Sequence, residues 1–214
     1  MRNRAENQVT LILIRHGETR ANEEHRYLGK TDEALSENGK EALFSYKARG
    51  CYPKAEYLFT SPMKRCLQTA EILYPNIRPF VIPEWEEMDF GQFEYKNYEE
   101  LKDDIRYQAW MDSGGTIGFP KGESREAFVI RCERGMVKMC GQLSRMEGQN
   151  VNRQIRVAAI VHGGTIMALL SSFAGKEYFD SQVSNGEGFL STLAWQKEAA
   201  VVRERIQIKV VKKL

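Results

Sequence analysis

The strongest constraint on this chain is a repeated pattern, an aliphatic run that ends abruptly in His-Gly. Leu11-Ile12-Leu13-Ile14 runs into Arg15-His16-Gly17, and Val157-Ala158-Ala159-Ile160-Val161 runs into His162-Gly163-Gly164. A short continuous apolar stretch bounded by glycine reads as a strand buried on both faces. Such a strand delivers the residue at its carboxyl end to the rim of a sheet, which in open α/β sheets is where ligands bind. A single histidine there is commonly a hydrogen-bonded structural residue. Two of the chain's three histidines in the same setting argue instead for a shared site.

The rest of the pattern alternates strands and helices, which places the chain in the α/β class. Residues 17–35, rich in Glu, Asn, Gly and Asp, read as a loop folded over the end of the first strand. Ser36 is expected to cap a helix that carries Ala42, Leu43, Tyr46 and Ala48 and stops at Gly50. Residues 55–60, 78–83 and 155–161 read as the second, third and fourth strands. Residues 189–195 and 201–210 read as an antiparallel hairpin turning at Lys197-Glu198, with Lys212-Lys213 protecting the sheet edge. Helical spacing covers residues 97–111, 124 to 146 and 164–173.

Ser61-Pro62 is a helix-start signal, Ser as N-cap and Pro at the first helical position. It sets Arg65 in the first turn of a helix at the sheet rim, where free N–H groups and the helix dipole already attract anions. Residues 84–94 mix carboxylates with aromatics. Most of these acids are expected to be solvated, and one is expected to have an environment of its own, with Glu86, Glu87 and Asp89 as candidates. The Gly-rich loop 113–122 lacks the Gly-Lys-Ser/Thr ending of a nucleotide-binding P-loop and is assigned as a lid or substrate wall.

The 214 residues suit one α/β domain over residues 1–214, with 1–8 as a flexible tail. Lys and Arg number 31 against 29 Asp and Glu, so no nucleic-acid footprint or membrane anchor is expected. Cys51, Cys66, Cys132 and Cys140 show neither a Cys-x-x-Cys pair nor zinc-type spacing and read as small apolar residues. The polar amino terminus lacks the core of a signal peptide, and no stretch approaches the roughly 20 apolar residues of a transmembrane helix. The expectation is a soluble, cytoplasmic protein; its oligomeric state is not legible.

Three ordered motifs carry a family resemblance: Arg15-His16-Gly17-Glu18-Thr19 with Asn22, then Ser61-Pro62-Met63-Lys64-Arg65-Cys66-Leu67-Gln68-Thr69-Ala70, then Val161-His162-Gly163-Gly164. Together they resemble the histidine phosphatase, or phosphoglycerate-mutase-like, superfamily over residues 9–195. For a chain with these motifs the resemblance implies a three-layer α/β/α sandwich whose mixed six-stranded sheet has the order 3-2-4-1-5-6 with strand 5 antiparallel. It also implies a catalytic set of His16 as nucleophile, forming a phosphohistidine, Glu87 as general acid, and His162, Arg15 and Arg65. Asn22, Arg15, Arg65, His162 and Gly163 would bind the phosphoryl group. No metal or other cofactor is expected, since cationic side chains meet the charge of the phosphomonoester.

The activity implied is that of a histidine acid phosphatase-type phosphomonoesterase acting on a small phosphorylated metabolite. Residues 27–36 resemble the branch of the α-ribazole phosphatases and fructose-2,6-bisphosphatases. Ala34 stands where those relatives carry Pro, and Phe93-Glu94-Tyr95 replaces their Trp-Glu-Gly. A phosphoglycerate mutase is the alternative within catalysis, although Ala21 rather than Trp precedes Asn22. A phospho-ligand-binding module without turnover is the alternative outside it.

Overall fold

The structure is a computed structural model that describes residues 7–147, 155–196 and 205–214. Its centre is β1, Asn7–Arg15, which pairs in parallel with β4, Arg156–Val161, on one side and antiparallel with β5, Gly188–Gln196, on the other. Beyond β4 lie β2, Tyr57–Thr60, and β3, Phe80–Val81; beyond β5 lies β6, Arg205–Lys213. The sheet order is β3-β2-β4-β1-β5-β6, with β5 antiparallel to β1, as the resemblance implied.

Strand alternation explains why the aliphatic runs are unbroken. Leu11 and Leu13, with Val157, Ala159 and Val161, join a core against α6, Arg125–Glu147, and α7, Gly163–Ala174. Ile12 and Ile14, with Ala158 and Ile160, face the other way against α2, Glu37–Ala48, and α3, Lys64–Leu73. Residues 11 to 14 have no exposed surface. The two central strands are thus clamped between helix layers, and their carboxyl ends are rigidly placed.

Several expectations shift locally. Ser36 caps α2, accepting from the Gly39 N–H, and Gly50 follows at φ 71°. Loop 17–35 contains a short helix, α1, Arg20–Glu23, because Thr19 and Asn22 form a reciprocal capping box. Ser61 does not cap α3, which begins at Lys64 with Met63 at the N-cap. The Ser61 hydroxyl is engaged by His162 instead. The single helix expected over 97–111 divides into α4, Tyr98–Leu101, and α5, Ile105–Asp112, because the Asp104 carboxylate accepts from the Arg106 N–H and starts a new helix.

The third strand is cut to two residues by Pro83, which opens a 3₁₀ turn, Pro83–Trp85. β1 takes in Asn7 and Gln8, assigned above to the tail; residues 1–6 and the Lys197-Glu198 turn lie outside the described residues. Lys212 and Lys213 pair with Leu190 and Phe189 inside the outer strand β6. Cys66, Cys132 and Cys140 are buried in the cores, and Cys51 is exposed. No helix among the described residues is long and apolar enough to cross a membrane.

Candidate active site

Because β1 and β4 are parallel neighbours in register, Arg15 opposite Val161, they deliver His16 and His162 side by side, with ring centroids 5.2 Å apart. Arg65, from the first turn of α3, and Glu87, after the Pro83 turn, close the cluster. His16, Arg65, Glu87 and His162 are all buried. Asn22, from α1, and Gly163, the first residue of α7, stand at the same rim.

His16 Nδ1 lies 2.6 Å from the Gly17 carbonyl oxygen. A carbonyl only accepts, so Nδ1 carries the proton and Nε2 the lone pair. Burial pushes the imidazole well below its usual 6.5, and the Arg65 and Arg15 guanidiniums push the same way against the Gly17 bond. His16 is therefore held neutral, in one tautomer.

Arg65 is pinned by carbonyls. Its Nη1 donates to Thr31 O and its Nη2 to Gly29 O, each at 2.9 Å, and its Nε donates to His162 Nδ1 at 3.3 Å. With five N–H groups on a guanidinium, two remain for a ligand. The 29–31 loop is held in turn by Glu94, whose Oε1 accepts from the Gly29 and Thr31 N–H groups at 2.9 Å each. Phe93 is fully buried, and the Tyr95 hydroxyl donates to Glu33. Glu94, the residue this segment keeps in common with Trp-Glu-Gly, thus supports Arg65, and the departures at Phe93 and Tyr95 flank it.

Arg15 donates from Nη1 to Val183 O at 2.8 Å, while its Nε is buried with no partner. Burial lowers its pKa, opposed by the nearby Glu87 carboxyl. A buried, unpaired guanidinium N–H is a donor placed for an anion. Asn22 is oriented the same way. Its Oδ1 accepts from the Thr19 N–H at 3.2 Å and from Asn185 Nδ2 at 3.0 Å, which leaves its own NH₂ to donate outward.

Among the three acidic candidates, environment separates Glu87. Glu87 Oε1 accepts from its neighbour's N–H, Met88, at 2.9 Å, and Oε2 from Gly164 N at 3.4 Å. Burial nevertheless raises the carboxyl above its ordinary value, against those bonds and the pull of Arg65 and Arg15. Asp89 is paired with Lys30 at 2.7 Å and sits below the usual range despite partial burial. Glu86 offers its carbonyl to Arg131. Gly164 is needed for this packing, because a Cβ there would lie 2.4 Å from Glu87 Oε1.

His162 enters the cluster with both ring nitrogens occupied by the protein. Nδ1 accepts from Arg65, so Nε2 bears the proton and donates to Ser61 Oγ at 2.8 Å. Burial and the Arg65 charge hold this imidazole, too, well below 6.5. The Cys66 thiol lies 3.6 Å from Nε2, and burial pushes its pKa up to about 12.

A family model for the histidine phosphatase superfamily, branch 1, matches residues 11–205. The chain belongs to the histidine phosphatase superfamily. Within that superfamily it is 29% identical over 170 residues to the uncharacterized phosphatase PhoE of Bacillus subtilis (strain 168), covering 78% of each chain. It is 27% identical over 171 residues to the adenosylcobalamin/alpha-ribazole phosphatase of Escherichia coli (strain K12), covering 78% of this chain and 80% of that one. The crystal structure of the alpha-ribazole phosphatase from Shigella flexneri shares the fold with a TM-score of 0.70 at 23% identity, over 95% of both chains.

Two supports of this histidine phosphatase site, Asn185 and Arg131, lie outside the motifs, and a third, Ser61, opens the second motif in a role its pattern does not announce. Asn185 donates from Nδ2 to Asn22 Oδ1 and to the carbonyls of His16 and Gly17, at 3.0, 3.2 and 3.3 Å. Its only sequence signal is an Asn-Gly turn before a strand. Arg131 donates to the carbonyls of Glu84, Glu86 and Glu87 and pairs with Glu123 at 2.7 Å, so it shapes the segment that carries Glu87. Ser61 was assigned to a helix cap. Nothing in the local pattern of Arg131 or Ser61 announces these partners, because both act across long sequence separations.

Proposed function

We propose that this histidine phosphatase is a phosphomonoesterase that hydrolyses a small phosphorylated metabolite through a phosphohistidine on His16. The observation that carries the reading is the state of His16: neutral, its Nδ1–H donated to Gly17 O, its Nε2 lone pair left beside two guanidiniums. A phosphoryl dianion meets Arg15 Nε, the two remaining Arg65 N–H groups and the Asn22 amide. In the first step His16 Nε2 forms a bond to phosphorus, the bond to the leaving oxygen breaks, and the raised Glu87 carboxyl gives that oxygen its proton. The positive charge that develops on the ring is shared with the Gly17 carbonyl. In the second step water attacks phosphorus, the Glu87 carboxylate takes its proton, and His16 leaves neutral.

His162 serves this scheme through Arg65, whose Nε it receives, and reaches a phosphoryl oxygen only by releasing Ser61. The phosphatase relatives named above favour hydrolysis, and an activity like that of the α-ribazole phosphatases fits a small phosphomonoester. Positive charge comes from Arg15 and Arg65, so turnover is expected to persist in EDTA. Rapid quench with ³²P-labelled phosphomonoester should trap an acid-labile, base-stable phosphoenzyme that His16→Ala lacks. Label on Asp, Ser or Cys would overturn the mechanism.

A further inference from the structure

Glu87 lies at the inner wall of a cavity of about 290 Å³. If Glu87 protonates the leaving oxygen, whatever is attached to that oxygen must occupy this cavity. Its walls are strongly aromatic: Tyr27, Phe90, Trp110, Phe119, Tyr178 and Phe179 come from five separate segments of the chain. The Gly-rich loop 113–122 contributes Phe119 and, through Gly115 at φ 72°, lies against Trp110 and Phe179.

Two of the polar groups at these walls, the Tyr27 hydroxyl and the Arg125 guanidinium, are already engaged. The Tyr27 hydroxyl is bonded to the Tyr107 hydroxyl at 2.8 Å. The cation at the mouth, Arg125, lies over the rings of Tyr178 and Phe179, 5.4 and 5.9 Å from their centroids, and donates to Gly114 O. A second anionic group on the substrate would therefore enter an apolar space where burying it is costly. The volume is about twice the ~150 Å³ that holds one benzene in an apolar protein cavity. Phe179, at 46% exposure, leaves apolar surface open at the rim until something covers it.

We propose that the cavity beside Glu87 selects phosphomonoesters whose leaving group carries an uncharged aromatic or bulky apolar moiety, up to two fused rings, and discriminates against substrates with a second anion. This rests on the assignment of Glu87 to the leaving-group side. A phosphorylated acid, which a phosphoglycerate mutase requires, is disfavoured by the same walls.

The test uses phosphonates, which bind but cannot be hydrolysed, with dissociation constants measured by calorimetry on the full chain. Benzylphosphonate should bind at least about tenfold more tightly than methylphosphonate, and phosphonoacetate no more tightly than methylphosphonate. Phe179→Ala, at an exposed position, and Trp110→Ala should each shrink the benzyl advantage by about threefold or more while leaving methylphosphonate unchanged. Equal affinities, preference for phosphonoacetate, an advantage that survives both substitutions, or no binding of any of the three would overturn the proposal. Failure to trap a phosphoenzyme with the ranking intact would strike the mechanism above and spare the cavity.

Discussion

Arg65 and His162 are joined by a hydrogen bond from Nε to Nδ1 of 3.3 Å, and this one contact sets the tautomer of His162. It makes His162 an acceptor at Nδ1, hence a donor at Nε2, and gives the Ser61 hydroxyl its role. A histidine that had looked like a phosphate ligand in waiting is tied to its neighbours at both nitrogens.

Ser61→Ala removes the acceptor of that donor and leaves a buried N–H without a partner. Unfolding in urea should show a loss of about 1–3 kcal/mol. kcat/KM should fall with it, because His162 no longer has a fixed orientation from which to hold Arg65. A variant of wild-type stability would mean that the ring swings to another acceptor.

Glu87→Gln keeps the shape of the side chain and cannot give up a proton. An alkoxide leaving group needs that proton and a nitrophenolate does not, so the substitution should slow phosphorylation by alkyl phosphates by about 10²-fold or more and by nitrophenyl phosphate much less. Burst kinetics must isolate the phosphorylation step, since hydrolysis of the phosphoenzyme can limit the faster substrate. Equal losses on both would make Glu87 a positioning residue.

Stability should depend on pH through the two buried histidines. Each is held well below 6.5 in the fold and returns to about 6.5 when the chain unfolds, so the unfolded state binds more protons below that value. The stabilisation is present above pH 6.5 and is lost as pH falls, at about 1.4 kcal/mol per pH unit for each histidine. His16→Ala should remove one such increment from the slope below pH 6.5. The Glu87 carboxyl has the opposite sign: raised in the fold, it favours the folded state below its ordinary value of 4.5 and loses that contribution as pH rises through its folded value. Relative to Glu87→Gln, the wild type should therefore lose stability across that rise.

Asn185 is expected to act through Asn22. Asn185→Leu and Asn185→Asp both remove the N–H that holds Asn22 Oδ1, so both should raise KM for a phosphomonoester about tenfold, the equivalent of one hydrogen bond. kcat should change less than KM, and His16→Ala should still abolish the phosphoenzyme in either background. A kcat loss with KM unchanged would place Asn185 in the chemical step.

By itself the sequence determined the class, the two central strands and the residues at their ends. Continuous aliphatic runs ending in His-Gly leave few physical alternatives, since both faces of each strand must be covered and the polar ends must leave the core at one rim. The helix at Ser36 was legible because capping is local chemistry. Only the tertiary structure decided what Ser61 does, since the hydroxyl can cap a helix or receive His162, and the partner lies 101 residues away. The same holds for Glu87 against Glu86 and Asp89: three neighbouring carboxyls are alike in a sequence, and only the packing of α6 and α7 buries one while Lys30 claims another. Asn185, Arg131 and the aromatic cavity follow that rule. Contacts among residues remote in sequence leave no period and no spacing, and they exist only once the sheet has brought its rim together.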